Sequence, residues 1–148
     1  RYILSHNLQA SVITVLASIL FGIYPFISIS ANGFVIGFMG GYTVKSINDL
    51  AMYLILIIPH GILEIPALFT SAASGILLFL FIFRMIKDKY HGDTLNEAFE
   101  NNKKTLKHLI ILYLISVLLF TTAAMIEGFI TPQLGNMLSL HLNGQALF

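Results

Sequence analysis

An all-α, polytopic helical membrane bundle is predicted by three features of this 148-residue sequence. Hydrophobic residues make up 57% of it and charged residues only 10%, with a mean hydropathy of +0.85. Soluble domains carry roughly 45–50% apolar and about 25% charged residues, so too few charges remain to cover a water-facing surface. Three apolar stretches reach the roughly 20 residues a helix needs to cross a bilayer. Finally, Arg84, Lys87, Lys89, Lys103, Lys104 and Lys107 flank or fill a single loop, which the positive-inside rule assigns to the cytoplasm. The chain is read as one membrane domain over residues 1–148, multi-pass in the plasma membrane, with the lipid bilayer as its first partner. The absence of cysteine removes disulfides and thiolate chemistry. A net charge of +1 leaves no nucleic-acid footprint.

The first span is expected over about 8–30, kinked or ended early by Pro25. Asn32-Gly33 reads as a turn or helix start. Residues 33–58 form two apolar pieces divided by Lys45, Ser46, Asn48 and Asp49. Each piece is about half a membrane thick at 1.5 Å per residue, so a broken or re-entrant helical region facing protein is predicted. The second span, about 59–86, starts at Pro59, and Pro66 should bend it. The loop 87–104 should carry a short amphipathic helix. Thr94 and Glu97 have capping-box spacing, and Leu95, Ala98 and Phe99 form an apolar stripe. The third span, about 106–131, ends at Pro132. The uncharged tail 133–148 is too short and polar to span, and is expected at the outer interface or packed on a neighbour. The chain begins at Arg1 rather than Met, which reads as a processed or excerpted start.

Two kinds of residue stand out. Gly33, Gly37 and Gly41 share one helix face, and Ala67, Ser71 and Gly75 repeat the spacing on the second span. Small residues at this interval let membrane helices approach closely, either within the chain or between copies in a homo-oligomer. Glu64 and Glu127 are the acids inside apolar spans, where an unpaired charge costs on the order of 2.5–3.5 kcal/mol by insertion scales. His60 precedes Glu64 by one turn and shares its face. Counted from the loop, each glutamate lies about 22 residues away, about 33 Å at 1.5 Å per residue, so both are expected at one depth. His60, Glu64 and Glu127 then form a candidate intramembrane site. It could ligate a divalent cation through oxygen and nitrogen, share a proton, or hydrogen-bond to backbone freed by the prolines. No catalytic motif is present, so the chain is read as a non-enzyme.

The block Pro59-His60-Gly61-Ile62-Leu63-Glu64-Ile65-Pro66-Ala67, with Asn32-Gly33, Gly37 and Ile126-Glu127-Gly128-Phe129 before Pro132, resembles the stage II sporulation protein M family. The likeness runs from about Asn7 to Pro132. Family members usually carry another membrane helix upstream. The resemblance implies a plasma-membrane scaffold; the namesake recruits two peptidoglycan-degrading partners during engulfment of the forespore. Members also resemble proteins of bacteria and archaea that do not sporulate, so the sporulation role itself does not transfer. The alternative is a small oligomeric cation channel or transporter using the Glu/Glu/His site. A transporter needs a polar path across the full thickness, whereas polar side chains thin out between Ser74 and Arg84, favouring a sealed protomer.

Overall fold

The computed structural model describes residues 2–20 and 22–145, and the last three residues of the expected tail lie outside them. Five α-helices form: α1 Tyr2–Ala17, α2 Tyr24–Thr43, α3 Ile47–Tyr90, α4 Leu95–Phe129 and α5 Thr131–Gln145. No strand occurs among the described residues. Two helical stretches, Ile47–Tyr90 and Leu95–His141, are long and apolar enough to cross a membrane.

The stretch 8–30 is not one helix. After a 3-10 turn at Ser18–Leu20, Gly22 takes φ +67°, a left-handed conformation that glycine adopts without steric cost. The Phe79 ring lies 3.1 Å from where a Cβ would stand. Pro25 then falls in the first turn of α2, where a missing N–H breaks no helical bond. α1 and α2 are therefore antiparallel neighbours, tied by a Thr14 Oγ1 to Ser28 Oγ hydrogen bond of 2.9 Å.

Asn32-Gly33 does not start a helix; it lies in the middle of α2. The Asn32 amide donates to the Ser28 carbonyl one turn back, at 2.9 Å, which satisfies it locally. The polar break at Lys45 and Ser46 is where the chain turns, so the pieces of 33–58 belong to α2 and to α3. Ser46 caps α3 by accepting from the Asp49 N–H, and its Ser-x-x-Asp spacing was a legible start signal. Because α3 begins there, Pro59 and Pro66 both lie inside it rather than at its first turn. Membrane helices tolerate interior proline where neighbouring groups take up the freed backbone.

α3 and α4 form the main hairpin. The Thr94–Glu97 capping box is present, but it opens α4 itself, so no separate amphipathic helix precedes the third span. Of the expected stripe, Ala98 is fully buried, whereas Leu95 is 64% exposed and Phe99 meets Phe81 edge-on at 6.2 Å. Buried Asn102 locks the turn, donating to Asp88 Oδ2 at 2.7 Å and to the Ala98 carbonyl. Beyond Thr131 the chain continues as α5, packed on the N-terminal part of α3, where Leu56 lies 3.2 Å from the Cβ position of Gly135.

Candidate functional site

The core of the bundle is a seam of small residues. Asn7, Ser11 and Thr14 of α1 and Ser18 of the 3-10 turn that follows it recur at alternating intervals of four and three, which keeps them on one face. Glu64, Ala67, Ser71, Ser74 and Gly75 form the matching face of α3. The two helices run parallel: Asn7 meets Glu64, Ser71 Oγ donates to the Ser11 carbonyl at 3.4 Å, and Ser18 packs on Gly75. From the other side, Ser116 of α4 donates to the Ala67 carbonyl at 3.0 Å. Ser11, Ser18, Ala67, Ser71, Ser74 and Ser116 are all at most 2% exposed. The α3 ridge Ala67, Ser71, Gly75 thus packs closely within the chain. The α1 stripe was missed in the sequence, although its spacing was there to be read.

The other ridge behaves differently. A Cβ added at Gly33, Gly37 or Gly41 would meet nothing within 4 Å, so these residues do not pack inside the chain. The glycine of α2 in close contact is Gly40, whose Cβ position lies 3.1 Å from the Tyr53 ring. Tyr53 reaches across from α3 and donates to the Ile36 carbonyl.

The glutamates do not share one depth. α3 continues to Tyr90 and α4 begins at Leu95. Glu64 is therefore about 26 residues before the turn and Glu127 about 32 after it, an offset of about 9 Å at 1.5 Å per residue. The composition-based loop ends at 86 and 105 concealed this, because helix continues beyond the apolar residues on both sides. Glu127 instead shares a cleft with His60, within electrostatic reach of both His60 and Glu64. The cleft, 620 Å³ in volume, lies between α2 and the N-terminal part of α3, walled by Val35, Ile36, Met39, Met52, Leu56 and Ile57. His60 Nδ1 is buried there without a hydrogen-bond partner among the described residues. Glu64 faces a separate pocket of 110 Å³ with His6, Asn7, Asn32 and Phe120, and its Oε1 accepts from Asn7 Nδ2 at 2.6 Å. Among the described residues, no group of three or more His, Asp or Glu side chains could hold a metal ion. His60 and Glu127 thus line one pocket and Glu64 another. The polar partners of Glu64 were not grouped with it from sequence; isolated amides in apolar helices, Asn7 and Asn32, were the available signal.

Residues 1–132 match the profile of a family described as stage II sporulation protein M. An uncharacterized protein of Methanocaldococcus jannaschii is 33% identical over 136 residues, covering 92% of this chain and 72% of that protein. A second uncharacterized protein of the same organism is 32% identical over 117 residues, or 79% of this chain and 50% of that one. The match thus spans about half the length of the second relative. No solved structure matches.

Proposed function

The chain belongs to the stage II sporulation protein M family, and on that premise we propose that it is a non-enzymatic, multi-pass scaffold of the plasma membrane. The closed seam between α1, α3 and α4 carries this reading. Where a conduit would need polar space, Gly75 is in contact with Ser18 and Pro25, and Ser71, Ser74 and Ser116 are buried against backbone. A scaffold tolerates such sealing, because its work is done on its outer faces. Those faces are available: α2 exposes Phe34, Phe38 and Tyr42 at 71%, 60% and 71% beside the open glycine ridge. Large apolar side chains in this position suit lipid or a partner helix. The partners proposed are cell-wall-degrading enzymes of the kind the family resemblance implies.

The test is twofold. Proteoliposomes holding the purified chain should show no more cation flux than protein-free vesicles. A photo-crosslinker placed at Gly37 in native membranes should give adducts of defined mass containing a peptidoglycan-degrading enzyme. Cation flux that disappears in Glu127→Gln would replace the scaffold with the channel reading.

A further inference from the structure

The small pocket at Glu64 lies apart from the closed seam and from the His60–Glu127 cleft, and its chemistry is specific. Side chains from three helices converge on it: His6 and Asn7 from α1, Asn32 from α2 and Glu64 from α3, with Ala10, Leu68 and Phe120 completing the wall. Its 110 Å³ is room for a few water-sized ligands at about 30 Å³ each.

The hydrogen bonds show which groups remain to face a ligand. Asn7 turns its amide nitrogen to Glu64 Oε1. Asn32 turns its nitrogen to the Ser28 carbonyl. These bonds orient both amides and leave Oδ1 of each, together with the Glu64 carboxylate, as acceptors. No Lys or Arg lines the pocket. Glu64 is the single carboxylate of the lining, beside the His6 imidazole, and a carboxylate in an apolar bundle calls for a compensating charge. A ligand carrying a single positive charge balances it; a divalent ion would leave one charge uncompensated in turn. Oxygen donors suit hard cations.

We propose that this pocket binds one small monovalent metal cation, Na⁺ or K⁺, ligated by Glu64 and the side-chain oxygens of Asn7 and Asn32. The bound cation joins α1, α2 and α3 where Asn7, Asn32 and Glu64 converge. The proposal does not rest on the scaffold reading, since a bound structural ion requires no conduit.

The test is equilibrium dialysis of the full chain in detergent against ²²Na⁺, and against ⁸⁶Rb⁺ as the K⁺ surrogate, with N-methylglucamine chloride holding ionic strength constant. Saturable binding of one ion per chain is expected for one isotope, displaced by the unlabelled ion. Glu64→Gln retains an oxygen to accept from Asn7 and should fold, yet bind at least tenfold more weakly. Asn32→Leu alters an exposed residue and should weaken binding comparably, with an unchanged melting curve in N-methylglucamine. Binding of neither isotope would overturn the proposal. So would binding that survives Glu64→Gln, or that is lost in Glu127→Gln while Glu64→Gln retains it. None of these results bears on partner recruitment.

Discussion

Adding a single methyl group at Gly75 and at Gly37 should change stability in opposite directions. In Gly75→Ala the new Cβ collides with Ser18 Oγ and stands 3.2 Å from Ser18 Cβ and 3.3 Å from Pro25 Cγ. Neither neighbour moves freely. Ser18 is fully buried, and its hydroxyl donates to the Thr14 carbonyl; Pro25 is a rigid ring, also buried. Overpacking of this kind costs about 1–3 kcal/mol. Alanine returns about 0.5–1 kcal/mol of helix-backbone entropy, leaving a net loss of up to about 2.5 kcal/mol. Gly37→Ala meets nothing within 4 Å and keeps only the gain, about 0.5–1 kcal/mol. Both variants share the alanine gain, so they differ by the overpacking cost of about 1–3 kcal/mol; at roughly 2–4 °C per kcal/mol for a chain of this size, the two melting temperatures should differ by about 2–12 °C, with wild type between them. Thermal unfolding in detergent, followed by near-ultraviolet circular dichroism, reads this directly. Ser18→Ala removes the closest atom and should recover part of the loss in the double variant. A Gly75→Ala protein that melts at or above wild type would refute the close crossing of α1 and α3.

Further outcomes follow from the same geometry. Gly37→Leu should not destabilise the monomer, because leucine brings a helix-propensity gain close to that of alanine, and should alter assembly or partner crosslinking, as sedimentation and crosslink yield will show; a collapsed melting curve would place the ridge inside the chain. Thr94→Ala removes the cap of α4 and should cost about 1 kcal/mol, measured by the same unfolding assay. Asn102→Leu leaves Asp88 without its amide partner and should cost about 1.5–3 kcal/mol, the range for hydrogen bonds to charged groups. Asp93→Cys provides a single thiol at the α3–α4 turn in a chain without cysteine, and should react with maleimide only from the cytoplasmic side. Labelling from outside intact cells would invert the topology.

What this sequence determined alone is local or compositional. The scarcity of charge requires an apolar environment. Thr94 and Glu97 lie within one turn of each other, so their mutual cap is specified by the segment that contains them. The small-residue spacing of Ala67, Ser71 and Gly75 marks a close helix contact, because the helical period alone places them on one face. Ser46 and Asp49 carried the same kind of local information about the start of α3. The tertiary structure decided which faces meet. Gly33, Gly37 and Gly41 have the same periodicity as the α3 ridge, yet remain open, because the packing of α2 on α3 turns Gly40 toward Tyr53. The position of Glu127 relative to Glu64 depended on where α3 ends and α4 begins, and helix continues past the last apolar residue on both sides of the turn. The partner of Glu64 is Asn7, separated by 57 residues in sequence. Helical period gives each residue an angle about its own axis, but the pairing and register of the axes come from packing, and packing placed the two glutamates in separate pockets.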